Sequence, residues 1–117
     1  MNCENNLLTT IDVQGLETLK ILNCYSNQIL SLDISSLIEL QLIDCSTNEL
    51  NSFTVSSSPN FQYLDCSTNH LVTIPSLISI GNITTYYFTL NNLTEVELDR
   101  LRALGFTDES KLLPQNP

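Results

Sequence analysis

The chain has 117 residues, enough for one domain with a proper hydrophobic core. Thirteen acidic residues against four basic ones leave a net charge of −9, which repels phosphate backbones and anionic lipid, so neither nucleic acid nor a membrane surface is an expected partner. No apolar run approaches the roughly 20 residues that a membrane-spanning helix needs, and the first residues lack the basic stretch and apolar block of a secretory leader.

The chain is organised by a period. Cys3, Cys24, Cys45 and Cys66 are its only cysteines, each 21 residues from the next, and Asn6, Asn27, Asn48 and Asn69 follow three residues behind. Around them one frame returns: apolar, any, Cys, any, any, Asn, any, apolar. It reads Met1, Cys3, Asn6, Leu8; then Leu22, Cys24, Asn27, Ile29; then Ile43, Cys45, Asn48, Leu50; then Leu64, Cys66, Asn69, Leu71. A fifth copy, Tyr86, Phe88, Asn91, Leu93, arrives after 22 residues, one residue having been inserted between Leu71 and Ile83. Three residues past each copy stands another apolar residue, Ile11, Leu32, Phe53, Ile74 or Val96. Further ones follow at Leu16 and Leu19, Leu37 and Leu40, Phe61, and Ile80 and Ile83.

Alternating apolar residues such as Leu22 and Cys24 predict a short strand with one buried face. One such strand cannot bury that face alone, but parallel copies stacked about 4.8 Å apart make a continuous core. Each turn out of the strand leaves backbone groups unpaired inside, and an inward Asn can bond them, so Asn27, Asn48, Asn69 and Asn91 are expected to form a structural ladder beside Cys24, Cys45 and Cys66. So short a period leaves little room for a return helix. Leu32-Asp33-Ile34-Ser35 and Phe53-Thr54-Val55-Ser56 are expected to be extended or 3-10. After the last copy, Thr94 followed by Glu97 makes a capping box, with Glu95, Glu97 and Asp99 at the helix start. Leu98, Leu101 and Leu104 recur at helical spacing and Gly105 supplies the stop. A helix over 95–104, in a capping element of 94–106, is expected to cover the last open turn of the array. Residues 107–117 read as a tail.

Five copies in register resemble the leucine-rich repeat, whose core is L-x-x-L-x-L-x-x-N-x-L, with Cys here in the third Leu slot. Leu19 to Ile29, Leu40 to Leu50, Phe61 to Leu71 and Ile83 to Leu93 all fit, and the resemblance covers roughly residues 1–96. It implies an α/β fold: a right-handed solenoid of about five coils over 1–93, with a parallel sheet on the concave face, short extended or 3-10 convex segments and a C-terminal capping helix. Repeats of this length are most similar to those of bacterial secreted and surface proteins, so the resemblance favours an extracellular or cell-surface location. Family members usually begin with a capping element, whereas Met1 falls inside the first strand. Either the chain is a piece of a longer protein, or its first edge, with core residues such as Leu19 and Leu22 uncovered, finds a partner, for instance a second copy in an edge-to-edge homodimer.

Chemistry is sparse. The cysteines occupy Leu slots and point the same way, which suits neither a disulfide nor the convergent pairs that zinc takes; they read as a buried ladder of free thiols. Asp65, Ser67 and His70 look like catalytic parts, but His70 lies past the corner after Asn69 and no Gly-rich turn offers an oxyanion hole. No enzyme and no cofactor are expected. Two glycosylation sequons, Asn82-Ile83-Thr84 and Asn92-Leu93-Thr94, matter only in a glycosylating source, which the bacterial resemblance disfavours.

The outward side of the strands is the informative surface. Stacking would place Ile21, Leu42 and Tyr63 in one column and Asn23, Asp44, Asp65 and Tyr87 in the next, with Tyr25 beside them. A solvated face has no need of an apolar column, which points to contact. The expected function is non-catalytic recognition of another protein through this face. A structural spacer in a larger surface protein, or a glycan-binding adhesin segment with Tyr25, Tyr63 and Tyr87 as platforms, are the alternatives. The acidity reads either as solubility or as a docking field for a basic partner.

Overall fold

The structure, a computed structural model, describes residues 1–55, 57–74 and 82–117. Ser56 and Ile80, and most of the stretch that takes up the inserted residue, lie outside the described residues.

Among the described residues, six short strands fall into two parallel sheets. Strands β1 (Ile21–Asn23), β3 (Leu42–Asp44), β5 (Tyr63–Asp65) and β6 (Thr85–Tyr87) form a four-stranded sheet in that order. Strands β2 (Ser31–Asp33) and β4 (Ser52–Thr54) form a second, two-stranded sheet. From β1 to β5 the chain passes from one sheet to the other and returns one strand further on. Residues 1–5 add a rung ahead of β1, with Asn2 bridged to Asn23 and Cys3 N donating to Asn23 O at 2.9 Å. Among the described residues one α-helix, α1 (Glu95–Ala103), follows the last strand, and a 3-10 turn (Glu109–Lys111) comes after it. The molecule is therefore α/β, with parallel strands in sheets and one C-terminal helix. Its radius of gyration, 13.2 Å, is close to the roughly 13 Å of a compact domain this size.

The frame residues make the core. Leu22, Cys24, Ile29, Ile34, Leu37, Leu40, Ile43, Cys45, Leu50, Leu64, Cys66, Leu71 and Phe88 are all fully buried, and they join Leu32 and Phe53 of the second sheet in one cluster. Period-2 alternation explains this: the middle residue of every three-residue strand points inward and its neighbours do not.

The corners are built alike. Asn5, Ser26, Thr47, Thr68 and Leu90, each one residue before a ladder Asn, all take positive φ, between 53° and 58°. A non-glycine residue there costs about 1 kcal/mol or more, and the neighbouring amide supplies the compensation. Asn48 Nδ2 donates to Cys45 O at 3.1 Å and Ser46 O at 3.2 Å, closing its own corner, and to Cys24 O at 3.0 Å on the previous pass. Its Oδ1 accepts from Ile29 N at 3.0 Å. Asn27, Asn69 and Asn91 repeat the arrangement.

Several expectations need correction. The C-terminal residues are not a free tail: Phe88 N donates to Lys111 O, Leu90 N to Pro114 O and Asn116 N to Asn91 O, all within 2.8 Å. Leu112 is fully buried, and Gln115 performs the ladder role, with Oε1 accepting from Asn91 N and Leu93 N and Nε2 donating to Phe88 O and Leu112 O. This extra rung covers the backbone edge beyond β6, a task assigned above to the helix. A helix has no free main-chain groups along its side with which to satisfy a strand edge.

The capping box is only half formed. Thr94 Oγ1 accepts from Glu97 N, but the Glu97 carboxylate turns to Ile74 N and Arg100 instead of back to Thr94. Leu98 and Leu101 are buried, whereas Leu104 is exposed; Phe106 fills the place instead, edge-on to Tyr86 and Phe88. Val96 is exposed too, because the strand frame no longer governs residues inside the helix. Leu22 is fully buried beneath the first rung, and Leu19 is half-buried beside a groove lined by Met1, Leu16 and Lys20.

Candidate functional site

The outer face of the four-stranded sheet carries the outward side chains in register. Ile21 pairs with Leu42, Leu42 with Tyr63, and Tyr63 with Thr85. The next column runs Asn23, Asp44, Asp65, Tyr87. Backbone bonds continue past the strands, Ser26 N to Ser46 O and Thr47 N to Ser67 O, which carries Tyr25, Ser46, Ser67 and Thr89 into a third column. All these residues are half-buried except Ile21, which is 46% exposed at the end of its column.

A recurrent Asp-x-Ser staple shapes the middle of this face. Asp44 Oδ1 accepts from Ser46 N at 3.0 Å and Ser46 Oγ at 2.6 Å, and Asp65 does the same with Ser67. Asp33, on the opposite side, makes the same pair of bonds with Ser35. The chemistry nonetheless differs. For exposed Asp33 the two serine bonds dominate and hold the carboxyl below its usual range. For Asp65 burial dominates and Asp44 adds repulsion, so its carboxyl is pushed up despite the same two bonds. Burial, Asp65 and Asp44 likewise raise the Tyr63 phenol.

Aromatic rings flank the carboxylates. The Tyr63 and Tyr87 centroids lie 6.1 Å apart with planes tilted by 56°. Lys111, from the C-terminal rung, sets its ammonium 5.4 Å from the Tyr87 ring and 5.2 Å from that of Tyr86. Asn23 Nδ2 donates to Asn2 Oδ1 at 2.9 Å, continuing the polar column onto the first rung.

The structure does not bring the apparent triad together. Ser67 Oγ is committed to Asp65, and His70 stands exposed beyond the corner, its backbone N–H bonded to Leu50 O. All four cysteines are free, and Cys24, Cys45 and Cys66 are buried, with the Sγ atoms of Cys45 and Cys66 directed at carbonyls of the next pass. Burial pushes the Cys24 thiol up to about 12, helped by Cys3 and Asp44, and raises Cys45 and Cys66 well above the ordinary thiol range. Among the described residues no group of three His, Cys, Asp or Glu could hold a metal ion, and no helix is long and apolar enough to cross a membrane.

Two contributors escaped the sequence reading. Gln115 is hidden because it stands 24 residues after Asn91 and is not an Asn; the signal that could have found it is Leu112, three residues ahead in the cysteine slot. Lys111 joins the face only because that last rung folds back. Comparison of the chain with family models, with curated proteins and with solved structures finds no match in any of the three.

Proposed function

We propose that the chain is a leucine-rich-repeat solenoid and that its concave sheet is a non-catalytic surface for recognising another protein. The repeat reading is supported by the 21-residue frame, the equal corners and the amides that tie each pass to the one before it. The recognition reading rests on one observation above all: Ile21, Leu42 and Tyr63 stand in register on an outer sheet face, with Asp44 and Asp65 in the adjoining column. Apolar and aromatic side chains in a row on a solvent-facing sheet leave apolar surface that a partner would cover. The amide ladder fixes the spacing of that row, so little ordering entropy is lost on binding. Aromatic anchors tend to dominate such interfaces.

A displayed library of random twelve-residue peptides, selected against the intact chain, provides the test. Enriched binders should be lost on Tyr63→Ala, by on the order of 2 kcal/mol, and kept on the opposite-side variants Asp33→Asn and Glu39→Gln. Binders that survive Tyr63→Ala but fail on the opposite-side variants would overturn the concave-face reading.

A further inference from the structure

We propose that the partner presents an arginine, whose guanidinium seats across Asp44 and Asp65 and against the Tyr63–Tyr87 pair. This rests on the concave-face reading and names the chemistry of what that face takes. Asp44 and Asp65 are register partners on adjacent parallel strands, about 4.8 Å apart by strand spacing. Each commits Oδ1 to its own serine, and no other donor to either carboxylate is found among the described residues. Two like charges thus stand side by side on a half-buried face.

The chain's own cations do not answer them. Arg100 is bound to Glu97, and Arg102 to Glu95, Asp99 and Glu109. Lys111 lies over Tyr86 and Tyr87, and Lys20 lines the groove at the first rung. Of the four basic residues, none makes an ion pair with Asp44 or Asp65. The aromatic pair is a second, independent indication, because Lys111 already places a cation 5.4 Å from Tyr87. Tyr63, on the neighbouring strand, offers a ring to which no cation of the chain is bound.

Arginine fits this arrangement better than lysine. A guanidinium carries five N–H donors in a planar fork, enough to reach two carboxylates at once, and its weakly hydrated plane stacks on aromatic rings. An ammonium is a strongly hydrated point charge that would satisfy one carboxylate at a time. A calcium ion wants six to eight oxygens, and here both Oδ1 atoms are taken. An extended segment running over the sheet would then lay a neighbouring apolar side chain on Ile21 and Leu42.

The experiment is a chemical-shift titration of the isotopically labelled intact chain with acetyl-argininamide, and separately with acetyl-lysinamide, acetyl-citrullinamide and calcium chloride. Argininamide should shift the amides of Asp44, Ser46, Asp65, Ser67 and Tyr87. The uncharged citrulline analogue should bind roughly tenfold more weakly or worse, as expected for lost charge-assisted bonds. The double variant Asp44→Asn, Asp65→Asn keeps the serine acceptors and should lose the response while its spectrum stays folded. Equal responses to arginine and citrulline, shifts located elsewhere, or a stronger response to calcium at these residues would each overturn the seat. Display binders that need Tyr63 but ignore the double variant would also overturn it and leave the concave-face reading standing. Argininamide shifts at the seat with no display binders would do the reverse.

Discussion

A buried amide and a buried thiol show how one side chain can serve the whole array. Asn48 answers three carbonyls and one N–H across two passes. Its removal strands Ile29 N in a dry interior, at a cost of about 1–3 kcal/mol for a buried polar group left unmade. Asn48→Ala should therefore lower the urea midpoint far more than Asn51→Ala, an exposed site where effects stay within about ±0.5 kcal/mol. Thiol reactivity follows burial as well. With the Cys24 thiol pushed up to about 12 and those of Cys45 and Cys66 raised well above the ordinary thiol range, a thiol reagent at pH 8 should modify Cys3 alone in the native protein and all four in denaturant. Rapid native labelling of all four would remove the dry core from the account. Asp65 runs the other way. Its raised carboxyl means that the charged form is disfavoured in the folded state, a penalty present at neutral pH that fades as pH falls through its folded value. Asp65→Asn retains the acceptor for Ser67, so its urea midpoint at pH 7 should rise above wild type.

At the scale of elements, α1 is held by a polar clamp as well as by packing. Glu97 Oε1 accepts from Ile74 N at 2.9 Å while Arg100 donates to Ile74 O, so two helix side chains satisfy both main-chain groups of one residue. Burial opposes the Glu97 charge, but the bonds from Arg100 and Ile74 overcome it and hold the carboxyl below its ordinary 4.5. For a depressed carboxyl the stabilisation is complete above that ordinary value and is lost as pH falls through the folded one. Glu97→Ala should cost about 2 kcal/mol at pH 7, and the loss relative to wild type should shrink below pH 4. An undiminished difference at pH 3, read from urea curves at both pH values, would mean that the charge has no part in it.

For the whole molecule, the last rung is the feature on which closure depends. Strand edges left unpaired are templates for other chains, and the segment around Gln115 occupies the one beyond β6 with main-chain bonds, a ladder amide and Leu112. Pro114 and Pro117 then present no N–H from that rung. Leu112→Ala should cost about 3 kcal/mol. Gln115→Ala, which deletes no apolar core atom, should still cost about 2 kcal/mol. Thermal unfolding would check both; a Gln115→Ala protein as stable as wild type would make the rung incidental.

Much of this could be read before any coordinates. The 21-residue spacing of Cys and Asn already implied parallel strands at Leu22, Ile43 and Leu64, because only a repeated one-faced strand explains so regular an apolar alternation. The columns of outward residues followed from the same arithmetic, since a constant period imposes register. Thr94 and Gly105 marked the helix ends because capping is local chemistry. What the spacing left undecided is everything that depends on a partner distant in the chain. Whether Glu97 bonds Thr94 or Ile74, whether Phe106 or Leu104 fills the space above Phe88, and whether 107–117 hangs free or pairs as a rung are contests between local and long-range contacts, and tertiary packing settles them. The opposite behaviour of Asp33 and Asp65 has the same origin. Their Asp-x-Ser motif is identical, and it is chiefly the burial of Asp65 between neighbouring strands, with the charge of Asp44 beside it, that separates them, and no local pattern encodes either.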